Sequence, residues 1–166
     1  MLSTPPFRTS PRPAGQTGLS LIESMVALLV ISIGLLGIAA LQMSSLKISS
    51  SAYWHNQAVW YSYEITDRIN ANRSAFAEYA GLDTDGDYDA DCQSGACSPS
   101  NMVTADAQDW KNLVSKLPDG RGFISAPNAN SLTISVMWDD GAKTTNCTNG
   151  ESDPGTRTCY TWTVTR

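Results

Sequence analysis

The sequence predicts an α+β chain. One long N-terminal helix, membrane-spanning in its first half and amphipathic in its second, packs on a small antiparallel sheet. An extra helix lies in the connection between the two. Three observations carry this prediction. Residues 24–41 run for 18 positions without a charge. Apolar residues then recur at three- and four-residue steps as far as Phe76. Late in the chain, 132–138 and 160–165 alternate apolar and polar residues as half-buried strands do.

The apolar run comes first. At 1.5 Å per residue, a helix over 24–41 rises about 27 Å, close to the thickness of a hydrocarbon core. That is too long for the apolar region of an ordinary signal peptide. A secretory cut near Gly37-Ile38-Ala39 is the minority alternative. Arg8 and Arg12 are the only charges in residues 1–18, so the positive-inside rule puts 1–18 in the cytoplasm and the rest outside. Between Arg12 and Lys47 the only charge is Glu23. A carboxylate near the middle of a spanning helix costs about 2.5–3.5 kcal/mol on insertion scales, and less near an end. Such a group persists when something pairs with it.

From Gln42 to about Tyr79 the chain has no proline or glycine, and the helix is expected to continue. Ala58, Tyr61, Ile65, Ile69, Asn72 and Phe76 form one stripe able to pack on a sheet. Tyr53, Trp54, Trp60, Tyr61 and Tyr63 cluster in this half and are expected to be core and interface anchors rather than a sugar platform. The single histidine, His55, is expected to be inert.

Gly81 ends the helix. A second helix is expected from Ser98 as N-cap and Pro99 in the first turn. Its inner side is Val103, Asp106, Trp110, Leu113 or Val114, and Leu117. Pro118 and Gly120 stop it. Strands are expected at Gly122–Ser125, Leu132–Trp138 and Tyr160–Thr165, with a polar cysteine-bounded loop before the last.

Cys92, Cys97, Cys147 and Cys159 form an even set on the oxidising side of the membrane. Of three possible connectivities, Cys92–Cys97 and Cys147–Cys159 are favoured because each closes a short loop. Free thiols are the alternative; the spacings do not fit zinc. Between the helices, Asp83, Asp85, Asp87, Asp89 and Asp91 fall on alternate positions. Laid on an EF-hand loop they fill five ligand positions, but Tyr88 stands where glycine is needed and Ser94 where a bidentate Glu belongs. The loop is therefore either an irregular calcium site, closed by Cys92–Cys97, or a solvated acidic loop. Calcium is the only cofactor in prospect.

The net charge of −5, or −7 without residues 1–18, argues against nucleic acid as a partner. No Gly-x-Ser-x-Gly, HExxH or Walker pattern is present, so no enzyme is expected.

The junction Gly18-Leu19-Ser20-Leu21-Ile22-Glu23 ahead of the apolar run resembles the processing site of type IV pilins and type II secretion pseudopilins. The resemblance implies cleavage after Gly18 by a prepilin peptidase and N-methylation of Leu19, where relatives usually have Phe. It implies that Glu23 attracts the N-terminal amine of a neighbouring subunit during assembly. Four segments follow: a leader, 1–18; a membrane and filament-core helix, 19–43; its amphipathic continuation, 44–79; and a head, 80–166. Ala96-Cys97-Ser98-Pro99, Asp109-Trp110, Leu117-Pro118-Asp119-Gly120-Arg121-Gly122 and Val136-Met137-Trp138-Asp139-Asp140 are similar to PilV-type minor pilins, many of which have glycine where Asp119 stands. That resemblance runs from Gly18 to about Asp140. It implies a pilin fold in the inner membrane with a periplasmic head, later in the pilus. The implied partners are other minor pilins, the major pilin, the inner-membrane assembly platform, the processing enzyme and, before assembly, membrane lipid. Two rivals stand: a type II secretion pseudopilin, and a calcium-dependent adhesin head on a pilin stem.

Overall fold

The computed structural model describes residues 20–89, 92, 95–141 and 157–166. The chain forms two compact units, Met1–Ser44 and Ser45–Arg166. Helix α1 (Leu21–Ala71, 51 residues) contributes to both. It starts where the Ser20 carbonyl accepts from the Glu23 and Ser24 amides, at 2.9 and 3.2 Å. In the first unit every described residue is exposed.

In the second unit α1 buries Ala58, Ser62, Ile65, Thr66 and Ile69, a stripe with helical spacing. The two hydroxyls are satisfied within the helix. Ser62 donates to the Ala58 carbonyl (2.9 Å) and Thr66 to the Ser62 carbonyl (2.7 Å). The α-helix stops at Ala71, earlier than the expected Tyr79. Asn72 leaves helical geometry (φ −111°, ψ 50°), and its side-chain amide donates to the Pro99 carbonyl at 2.8 Å. A 3-10 turn, Arg73–Tyr79, follows and buries Ala75, Phe76 and Tyr79. The tighter winding rotates Phe76 and Tyr79 into the core, so the apolar stripe outlives the α-helix that the pattern implied.

Helix α2 spans Pro99–Val114. The Ser98 side chain accepts from the Asn101 amide at 3.2 Å, and Pro99 sits in the first turn where no amide is missed. Val103, Asp106, Ala107, Trp110 and Val114 face inward, which settles the inner position on Val114 rather than Leu113. Asp119 follows at φ 48°, in the left-handed region that favours glycine.

Three strands form one antiparallel sheet in the order β1-β2-β3: β1 (Arg121–Asn128), β2 (Ser131–Trp138) and β3 (Thr158–Thr165). β1 and β3 are longer than their alternating cores implied. β2 is buried along its whole length, with Leu132, Ile134, Val136 and Trp138 in the core. Gly122 lies under Trp110. A Cβ there would meet the indole at 2.5 Å, so only glycine lets α2 approach β1 this closely. The Trp110 Nε1–H donates to the Tyr61 carbonyl at 3.0 Å, which ties α2 to α1.

Candidate functional site

Two regions carry candidate function. The first is the start of α1. Glu23 stands in its first turn and is exposed. A carboxylate there complements the positive end of the helix dipole, but no side-chain partner is recorded for it among the described residues. Gly18 and Leu19, the expected cleavage and methylation positions, lie outside the described residues. Beyond Glu23, Leu21 to Leu41 form an apolar surface: Leu28, Leu29, Ile33, Leu36 and Leu41 are each at least 60% exposed. Helix α1 is long and apolar enough to cross a membrane, with none of its most apolar 18-residue window buried in the protein. Ser32, the polar residue in the middle of this surface, donates to the Leu28 carbonyl at 2.7 Å and so presents no unsatisfied hydroxyl to an apolar surrounding.

The second region is the face where α1, α2 and the acidic loop meet within the second unit. Arg68 is its hub. Its guanidinium reaches Glu64 (3.0 Å), Asp106 (3.1 Å) and Asp109 (2.9 Å). Asp106 is almost fully buried and also accepts from the Tyr79 hydroxyl. Burial first, and then the Asp106 carboxylate, push Tyr79 well above the ordinary tyrosine range. The five groups join α1, the 3-10 turn and α2 through one network. The sequence contained the signal: Glu64 and Arg68 are four apart, and Asp106 and Asp109 three apart on one side of α2. It did not show that the two pairs meet.

The acidic loop has a cation of its own. Arg121 holds Asp83 through two hydrogen bonds and reaches Asp85 at 3.0 Å. Burial raises the Asp83 carboxyl, but Arg121 and the Asp85 amide outweigh it and hold the group below the usual aspartate range. The Tyr88 ring closes the turn, its hydroxyl donating to the Asp83 carbonyl at 2.7 Å. Among the described residues no three His, Cys, Asp or Glu side chains are grouped to hold a metal. Asp87 and Asp89 are described; Asp91 lies outside the described residues. Cys92 and Cys97 form a disulfide with a Cα–Cα distance of 5.3 Å, closing the loop onto the start of α2. Cys159 is disulfide-bonded, and its expected partner Cys147 lies outside the described residues.

The aromatic cluster divides. Trp54 and Tyr61 pack against the core, whereas Tyr53, Trp60 and Tyr63 are exposed. His55 sits edge-on to Trp138 and Tyr160, with ring centroids 6.0 and 5.8 Å apart.

Residues 13–39 match the family model described as the prokaryotic N-terminal methylation motif. The chain carries a prepilin-type methylation motif. The match spans Gly18, Leu19 and Glu23 and ends within the apolar run. It supports a type IV pilin-like or pseudopilin protein, a structural rather than catalytic class, and it implies processing by prepilin peptidase and assembly with other pilins. With the apolar surface of α1, the motif points to membrane anchoring. The α+β architecture agrees with a pilin fold: long helix, small antiparallel sheet, extra helix between them. No curated protein and no solved structure matches the chain.

Proposed function

We propose that this chain is a minor pilin of the PilV type, a low-abundance subunit that helps to initiate a type IV pilus. In this reading the chain enters the inner membrane with its head outside. It is cut after Gly18 and methylated at Leu19, and it joins other minor pilins on the assembly platform. Those complexes prime the pilus or cap its tip. Adhesion, twitching motility and DNA uptake are the downstream roles such a pilus serves.

The observation that carries the proposal is Glu23 itself. It is the only charge in the first half of α1, five residues after Gly18, inside the matched motif. When the chain is cut after Gly18, Leu19 gains a positively charged amine. A neighbour's Glu23 is the nearest group of opposite sign that a second copy or relative can offer at that depth. Two charges in an apolar surrounding attract strongly, but desolvation cancels much of the gain. The pair therefore sets register more than it adds affinity. The motif suits a type II secretion pseudopilin equally. The Cys97-Ser98-Pro99, Asp109-Trp110 and Leu117-Pro118 stretch favours the pilus.

Glu23→Ala in cells making pili tests the assignment. Membrane levels of the processed protein should be unchanged, while its content in sheared fibres should fall at least tenfold. Unchanged incorporation would remove Glu23 from assembly.

A further inference from the structure

A groove of about 540 Å³ runs between α1 and α2 beside the Arg68 network, inside the size range of small-molecule sites. Two bonds hold its walls together. The Trp110 Nε1–H donates to the Tyr61 carbonyl (3.0 Å), and Arg68 donates to Asp109 (2.9 Å). The groove is therefore preformed, which lowers the cost of binding. Trp60 lines it from α1 and is 71% exposed, the most exposed ring of the aromatic cluster. The core takes Trp54 and Tyr61 but leaves this indole in water. Leu113 is the apolar wall on α2.

The polar groups of the groove have capacity to spare. The Gln57 side chain makes no hydrogen bond among the described residues. The Asn112 carboxamide oxygen accepts from Gln108 at 3.2 Å, while its N–H groups donate to no described residue. Arg68 reaches Glu64 through Oε1 and Asp109 through Oδ2. One oxygen of each carboxylate stays free to accept, in a position that the guanidinium fixes.

We infer that this groove binds a neutral sugar, with a pyranose ring lying on the Trp60 indole. A pyranose has an apolar C–H face and a rim of hydroxyls that both donate and accept. The indole covers the face. The free oxygens of Glu64 and Asp109 accept from the hydroxyls, and the amides of Gln57 and Asn112 donate to them. Charge selects against an acidic sugar, because Glu64, Asp106 and Asp109 set three negative charges against one on Arg68. A free cation has to approach the Arg68 guanidinium, which already holds the near oxygen of both carboxylates. An apolar side chain from another protein would desolvate the two amides and the free oxygens without pairing them. The site does not depend on the pilin assignment.

The test is nuclear magnetic resonance of the full chain in polyoxyethylene micelles, which carry neither sugar nor cationic headgroups. The probes are methyl β-D-glucopyranoside and methyl β-D-galactopyranoside. Glucuronate and tetramethylammonium are the controls. The Trp60 indole N–H resonance, identified by its absence from Trp60→Phe, should move saturably with at least one glycoside, while those of Trp110 and Trp138 stay in place. Trp60→Ala, read on the Asn112 side-chain resonance, should weaken binding about tenfold with the melting temperature unchanged. Glucuronate should bind about fivefold more weakly than the glycoside. No movement with either glycoside up to about 50 mM, or equal affinity in Trp60→Ala, overturns the inference. Movement with tetramethylammonium and with neither glycoside makes the groove a cation site and overturns it as well.

Discussion

Asp106 shows how one buried side chain can hold three elements. It accepts from Tyr79 on the 3-10 turn and pairs with Arg68 on α1, while itself standing on α2. Removing a buried partner costs more than the interaction is worth, because the groups left behind stay desolvated. Asp106→Ala should therefore lower the stability of the second unit by about 2–3 kcal/mol, roughly 10 °C in melting temperature for a unit of this size. Glu64→Gln, at the exposed end of the same network, should cost under about 0.5 kcal/mol. Equal effects from the two would show that the network is not centred on Asp106. The sequence placed Asp106 on the inner side of α2 but gave no reason for a carboxylate there. The reason is Arg68 and Tyr79, 38 and 27 positions away, beyond what a helical pattern can show. Asp83 gives a pH signature. Its folded pKa is depressed, so its contribution is fully present above the ordinary aspartate value of about 3.9 and is lost as pH falls through the lower folded value. Asp83→Asn should lower the urea midpoint at pH 6, and the gap from the native chain should close as pH falls from about 4 toward 2. A gap independent of pH would assign the loss to packing.

Elements were legible where one period ran long. The apolar half of α1 and the alternation of β2 stand out in the sequence because burial or membrane contact leaves no room for exceptions. Element ends were less legible. Asn72 ends α1 through a long-range bond to Pro99, a residue 27 positions on, and nothing local marks it. The acidic loop was ambiguous for the same reason: five alternate aspartates say nothing of where the nearest cation lies. Arg121, 38 residues after Asp83, now supplies one. Calcium would have to displace it from both Asp83 and Asp85. The full chain in micelles should accordingly show no rise in melting temperature in 5 mM calcium relative to a chelator. A rise of several degrees, abolished by Asp87→Asn or Asp89→Asn, would support the calcium loop and the adhesin reading with it.

At the scale of the molecule, an apolar helix that begins within a methylation motif leads into a folded unit whose sequence is acidic, disulfide-bearing and without a recognised catalytic motif. The membrane half was legible because 18 uncharged residues can satisfy their backbone only as helix. The role of the second unit was less so. The half-exposed pair of Trp162 on β3 and Tyr63 on α1 arises from strand order, which alternation alone does not fix. Everything that follows membrane insertion depends on where the mature chain begins. Mass spectrometry of the protein extracted from membranes of cells with active prepilin peptidase measures this directly. The account predicts a chain that starts at Leu19 and carries one added methyl group. A chain starting at Met1 in those cells, or at Gln42 after a secretory cut, would contradict it.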